Sequence, residues 1–110
     1  MYDLKISNGT IIDGTGAPAI QGDLGIKDGK VVAMGEAPDA ATREIDAQGQ
    51  VVCPGFVDIH THYDAQVLWD RNLTVSPWHG VTTAVIGNCG FGVAPTKAAD
   101  RELIRSEEHT

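Results

Sequence analysis

The stretch "GFVDIHTHYD", residues 55–64, places two histidines one residue apart at the end of a mostly apolar run. We interpret residues 55–62 as a β-strand, in which side chains alternate between the two faces. His60 and His62 then share one face and can meet one divalent ion, for which neutral imidazole is a good ligand if the ion is Zn²⁺. A His-X-His triplet also occurs by chance in surface loops. Here it ends an apolar strand, where barrel enzymes carry their functional groups.

A second apolar strand is predicted at "VTTAVIG", residues 81–87, which is rich in β-branched residues. Such a composition favours burial on both faces, as in a parallel sheet. The 18-residue link 63–80 is long enough for the crossover that parallel strands require. The segment "TKAADRELI", residues 96–104, has the composition of a helix. This half therefore predicts the opening of an α/β barrel, which two strands cannot close.

Cys89 follows the second strand directly, in "GNCGFG". The carboxyl ends of parallel strands open onto one edge of a sheet, so we expect Cys89 to approach His60 and His62. A thiolate is a strong Zn²⁺ ligand, at about 2.3 Å. On the residues alone, a buried structural cysteine is an equal alternative.

Two aspartates accompany the histidines. Asp58 shares their face but lies about 6–7 Å further from the strand end than His60. We expect it to support a ligand or the fold rather than to act as a base. Asp64, just past the strand, can contact substrate or orient His62, and a solvated loop aspartate is the alternative.

The first half of the chain is predicted to consist of short strands separated by glycine turns. Asn8-Gly9 and Asp28-Gly29 favour tight hairpins because both residues of each pair tolerate positive φ. A third, less regular turn is expected at Gln48-Gly49. We therefore predict a β-rich domain over residues 1–53 and the first two β/α units of a barrel over residues 54–104.

The composition narrows the class of protein. Eight Lys and Arg stand against 15 Asp and Glu, a formal net charge of −7, and no basic patch occurs, which argues against nucleic-acid and membrane-surface partners. The first residues lack the pattern of a signal peptide, and no apolar run approaches the roughly 20 residues of a membrane span. Two cysteines are too few for a disulfide scaffold, and we interpret Cys53 as a small core residue. We expect a soluble cytoplasmic protein, in which Trp69 and Trp78 cover apolar surface.

The hexapeptide "RSEEHT", residues 105–110, cuts short the helix-like segment before it. It matches the translation of a common sequencing-library adapter. We interpret it as a non-native tail produced by a sequencing artefact and leave it out of the fold. A genuine acidic tail is the alternative.

Two longer stretches carry a family resemblance. "VVCPGFVDIHTHYD", residues 51–64, and "PWHGVTTAVIGNCGFGVAPT", residues 77–96, resemble the D-aminoacylase, or N-acyl-D-amino-acid deacylase, family of the amidohydrolase superfamily. "PGFVDIHTH" alone indicates the superfamily, whereas "GNCGFGVAP" is more specific because it places a cysteine where most relatives have none. The opening "LKISNGTIIDGTGAP" is also typical of the family's N-terminus.

The resemblance implies a (β/α)₈ metallohydrolase barrel and a small β-sandwich composed from both chain ends, of which residues 1–53 are half. His60 and His62 would be the histidine pair of the first barrel strand, and Cys89 the metal-binding cysteine of the second. The implied cofactor is Zn²⁺, and the implied substrate is a small N-acyl-D-amino acid that is hydrolysed to a carboxylate and a D-amino acid. Further histidine ligands and the catalytic aspartate would lie beyond residue 110, so no catalytic residue is assigned. The missing C-terminal part of the chain is the expected partner, and residues 1–110 alone are expected to be inactive.

Two other functions remain open at this point. A cyclic-amide hydrolase of the dihydroorotase or hydantoinase kind resembles "PGFVDIHTH" equally well, but bridges two metals with a carboxylated lysine; Cys89 favours the deacylase. A non-catalytic binding protein on the same scaffold is the second alternative. The intact set of His60, His62 and Cys89 argues against it.

Overall fold

The computed structural model describes residues 1–89 and 96–102 and divides into two compact units, Met1–Pro54 and Gly55–Thr110. The proposed tail, residues 105–110, lies outside the described residues, as do residues 103–104 and residues 90–95 of the cysteine motif. The chain is β-rich, as predicted. The assignment of the units to half a sandwich and the start of a barrel stays a prediction.

The first unit is a five-stranded sheet in which β1 lies between β2 on one edge and β4 and β5 on the other. Its strands are β1 (Tyr2–Ile11), β2 (Ile20–Lys27), β3 (Lys30–Gly35), β4 (Ala41–Asp46) and β5 (Val51–Val52). The predicted hairpin at Asp28-Gly29 is confirmed: it joins β2 to β3, with φ of 51° and 70° at the two residues. Both values lie in the left-handed region that a tight hairpin turn requires.

The predicted hairpin at Asn8-Gly9 is wrong. The dipeptide lies inside β1, where the pairing with β2 shifts register between Ile6 and Gly9. Asn8 has a φ of 60°, and its backbone N–H donates to Asp23 Oδ1 at 3.0 Å. The same tolerance of positive φ that allows a hairpin here allows a β-bulge, which bends the strand without reversing it.

The turn at Gln48-Gly49 does not form a hairpin either. β4 and β5 both pair with β1 in parallel, at Ser7 opposite Asp46 and Thr10 opposite Val51. The chain therefore loops out after β4 and returns to the same edge of β1 rather than folding back on β4. Gly49, with a φ of 78°, makes this loop possible.

The apolar core of the first unit is thin. Among the described residues its buried apolar side chains are Tyr2, Ile11, Ala37 and Ala47. Val31, Val32 and Met34 are exposed, so neither face of the edge strand β3 is covered. Cys53 is exposed and its thiol is free, and the prediction that it is a core residue is therefore wrong.

The second unit begins with two short strands that pair in parallel across a crossover, which confirms the predicted connection. Its elements are β6 (Phe56–Asp58), α1 (Tyr63–Gln66), α2 (Val75–Trp78), β7 (Val81–Ala84) and a 3₁₀ turn (Ala98–Asp100). None of the helices in the described parts of the chain is long and apolar enough to cross a membrane.

The strands of the second unit are shorter and more exposed than predicted. β6 ends at Asp58, so the two histidines follow the strand instead of lying on it. Phe56 and Ile86 are 60% and 55% exposed, and Trp69 and Trp78 are 64% and 78% exposed. The prediction of burial on both faces is therefore wrong for the described residues of the second apolar run, whereas the role of the two tryptophans as covers of apolar surface stays a prediction.

Asp70 organises the link between α1 and α2. Its carboxylate accepts hydrogen bonds from Thr74 N at 2.8 Å and Thr74 Oγ1 at 2.5 Å, and also from Gln66 Nε2 and Asn72 N. These donors favour the charged form, the Thr74 hydroxyl most, and lower the pKa of Asp70 from 3.8 to about 2.

The depressed pKa predicts how this link responds to acid. The link is stabilised by the ionised carboxylate above pH 3.8, and that contribution disappears as the pH falls through about 2. Replacing Thr74 with Val removes the hydroxyl donor and should raise the pKa of Asp70 towards 3.8. We expect a carboxyl ¹³C NMR titration to record both midpoints, with Thr82→Val as a control that leaves Asp70 unchanged. A midpoint near 3.8 in the unmodified chain would contradict this account.

Candidate metal centre

The parallel pairing of β6 and β7 brings two loops to one edge of the second unit. The loop after β6 carries His60 and His62, and the segment after β7 carries Cys89. Within the described residues, three hydrogen bonds tie the loops together: Val85 N to Asp58 O at 2.8 Å, Thr61 Oγ1 to Val85 O at 3.1 Å and Asn88 Nδ2 to Ile59 O at 2.9 Å.

His60, His62 and Cys89 converge at this edge. Each offers one ligand atom, and the three atoms all lie within 4.8 Å of one another. His62 Nε2 lies 3.1 Å from Cys89 Sγ. Both histidines are exposed, and Cys89 is half-buried with a free thiol. Two imidazoles and a thiol form a donor set that fits Zn²⁺, whose bonds to nitrogen and sulfur are about 2.0–2.3 Å long.

Asp58 supports the first loop. Its Oδ1 accepts the backbone N–H of His60 at 3.1 Å. The carboxylate thereby constrains the backbone that carries His60, and its supporting role stays a prediction.

Asp64 is buried, with 1% of its surface exposed, so the alternative of a solvated loop aspartate is wrong. It lies in the first turn of α1, and His62 is the N-cap residue of that helix. Among the described residues no hydrogen-bond donor reaches either carboxylate oxygen. Nothing in the sequence signals that the Asp64 carboxylate is buried without a hydrogen-bond donor.

Thr61 and Asn88 join the two loops of the candidate centre, and sequence reasoning missed both. Thr61 is 5% exposed, and both side chains join the histidine loop to the cysteine segment. The sequence offers one signal for these two residues, their positions next to the proposed ligands. That signal does not distinguish a residue whose side chain joins two loops from an ordinary loop residue.

Comparison with known proteins adds independent observations. Residues 43–107 match the Amidohydrolase family. A D-aminoacylase from Alcaligenes xylosoxydans xylosoxydans is 43% identical over 100 residues, which cover 90% of this chain and 21% of that protein. An N-acyl-D-aspartate deacylase from the same organism is 44% identical over 94 residues, covering 84% of this chain and 19% of that one. The chain therefore spans about a fifth of the length of these curated relatives.

A solved structure is similar over nearly the whole chain. The N-acyl-D-glutamate deacylase from Bordetella bronchiseptica, crystallised with zinc and a phosphonate inhibitor, aligns with a TM-score of 0.79 at 42% identity. The alignment covers 94% of this chain and 23% of that protein. Fold and sequence likeness therefore point to the same group of proteins.

Gly55 allows β6 to start close beside β7. A Cβ at this position would overlap the side chain of Thr82, with the two Cβ atoms only 2.6 Å apart. The next residue, Phe56, donates its backbone N–H to Gly80 O at 2.9 Å. The bare glycine backbone thus permits the strand approach on which the convergence of the two loops depends.

Gly55→Ala should separate the two strands and lower the free energy of unfolding by about 1–3 kcal/mol, the usual cost of overpacking. We expect urea unfolding of the chain to show this loss. The second substitution Thr82→Gly removes the atoms that the new methyl meets, so the double variant should lose less than the sum of the single variants. Strictly additive losses would mean that the Gly55–Thr82 contact does not limit the strand approach.

Proposed function

Because the chain belongs to the amidohydrolase family, we propose that it is the N-terminal part of a zinc-dependent hydrolase of N-acyl-D-amino acids. The reaction would cleave a linear amide, a carbon–nitrogen bond other than a peptide bond, to release a carboxylate and a D-amino acid. The observation that supports this most directly is the convergence of His60, His62 and Cys89 in a chain 43% identical to a D-aminoacylase.

His60, His62 and Cys89 would hold the metal. The zinc in the similar N-acyl-D-glutamate deacylase supports Zn²⁺ as the ion. Bound Zn²⁺ supplies a Lewis acid for the amide carbonyl and lowers the pKa of a bound water towards about 7.

The remaining residues of the centre keep the ligands in place. Asp58 fixes the backbone at His60 through its 3.1 Å hydrogen bond. Thr61 and Asn88 hold the two loops together and so maintain the distance between His62 and Cys89. Such supporting hydrogen bonds pre-organise a ligand set and reduce the cost of ordering it when the cation binds.

The rest of the active site would come from later strands of a complete (β/α)₈ barrel. We place further histidine ligands and the catalytic aspartate there, and expect residues 1–110 alone to be inactive. The first unit would be half of a composite β-sandwich. The exposed apolar side chains of β3 and β6 support both proposals, since such surfaces are normally covered in a complete domain.

The test uses the product of the whole gene, purified and analysed for bound zinc. We expect release of D-methionine from N-acetyl-D-methionine and no release from the L-enantiomer. Cys89→Ala should remove most of the zinc and lower the activity more than about 100-fold. Replacing a residue that only hydrogen-bonds to a metal ligand already lowers metal affinity or activity by about 10–100-fold. Cys53→Ala is the matched control, because it removes an exposed thiol of the first unit. It should leave the zinc content and the activity unchanged.

Two results would contradict the proposal. Full zinc content without hydrolysis of either enantiomer would favour the cyclic-amide hydrolase. A protein that binds no zinc would reject the metal centre and favour a non-catalytic binding role.

A further inference from the structure

Asp64 is the one described residue with buried side-chain oxygens that lack a hydrogen-bond partner. A carboxyl group without a hydrogen-bond partner is expensive to bury, and natural structures rarely keep one without a use. Other described carboxylates show the contrast. Asp70 has several donors, and Asp58 accepts the N–H of His60.

Asp64 lies next to the proposed metal centre but outside its ligand cluster. It follows His62 by two residues, and two Cα–Cα steps of 3.8 Å keep the two Cα atoms within about 7.6 Å of each other. The cluster of mutually close ligand atoms comprises His60, His62 and Cys89 and does not include the Asp64 carboxylate. Asp64 is therefore better placed to support a metal ligand than to coordinate the ion itself.

Among the described residues, no hydrogen bond occupies Nδ1 of the His62 ring, which can therefore serve such a carboxylate. Its Nε2 lies 3.1 Å from Cys89 Sγ, on the side where the ligand atoms converge. Nδ1 is the remaining ring donor. Histidines that bind metals almost always donate their second ring N–H to a carboxylate, a carbonyl or water, which fixes the tautomer and the ring orientation.

We propose that Asp64 is a positioning residue of the metal centre, whose buried carboxylate accepts the Nδ1–H of His62 when a cation engages Nε2. This inference rests on the proposed function. The hydrogen bond would keep the lone pair of Nε2 directed towards the cation and make the imidazole a better ligand. Without the cation, no donor among the described residues reaches the carboxylate, which stays buried at a cost in stability.

The proposal predicts opposite effects of Asp64 on metal binding and on stability. Asp64→Asn keeps an uncharged acceptor, and Asp64→Leu removes it. Zinc affinity should be highest in the unmodified protein, lower in Asp64→Asn and lowest in Asp64→Leu. For Asp64→Leu we expect a loss of about 10–100-fold relative to the unmodified protein. The melting temperature of the metal-free protein should rise in the same order, because the buried oxygens that lack a hydrogen-bond partner are first made less polar and then removed.

The experiment uses the whole gene product, stripped of metal with a chelator. Zinc affinity is measured by competition with a chromophoric chelator, and thermal unfolding is followed without metal. Asp100→Asn is the control, since it replaces an exposed aspartate in the same unit by the same residue type. It should leave the zinc affinity and the metal-free melting temperature unchanged. Cys89→Ala reports whether zinc binds at this centre at all.

The outcomes separate this inference from the function on which it rests. If zinc binding depends on Cys89 but is equal in the Asp64 variants, Asp64 has no role at the metal and only this inference fails. If both Asp64 variants lower the metal-free melting temperature, the carboxylate is structural and the inference also fails. If the unmodified protein binds no zinc, the proposed function fails first.

Discussion

The arrangement of the second unit depends on the parallel pairing of β6 with β7. The two strands are three and four residues long, yet their pairing brings His62 and Cys89, 27 residues apart in the chain, to a distance of 3.1 Å. Parallel strands end at the same edge, so the loops that follow them meet without any further long-range contact. The Gly55–Thr82 approach and the hydrogen bonds from Thr61 and Asn88 reinforce a geometry that the pairing has already set.

The convergence of the proposed ligands was predictable because it follows from strand direction alone. The detailed reason was wrong: the histidines do not alternate along a strand, since β6 ends at Asp58. They meet Cys89 because their loop leaves the same edge as the cysteine segment. That these three side chains hold a metal stays a prediction. The burial of Asp64 was not predictable, because it depends on how α1 packs rather than on any local pattern.

The turns also show that local backbone preference is predictable from the sequence, whereas strand pairing is not. Asn8-Gly9 and Asp28-Gly29 have the same backbone preference, and both adopt positive φ at the first residue. One makes a hairpin and the other a bulge, because β1 continues along partners that lie further on in the chain. Composition also failed to predict burial: Val85 and Ile86 in the second apolar run are exposed, since burial requires a second layer that strand propensity cannot supply.

The placement of β1 between its neighbours has a consequence for the order of events during synthesis. All strands that pair with β1 lie within Met1–Pro54, so this sheet needs nothing from the second unit to form its hydrogen bonds. Cys89 is translated 35 residues after Pro54, about 2–7 s later at 5–20 residues per second. All strands of the first sheet are thus synthesised before the cysteine is added, and their pairing does not depend on the segment that carries it.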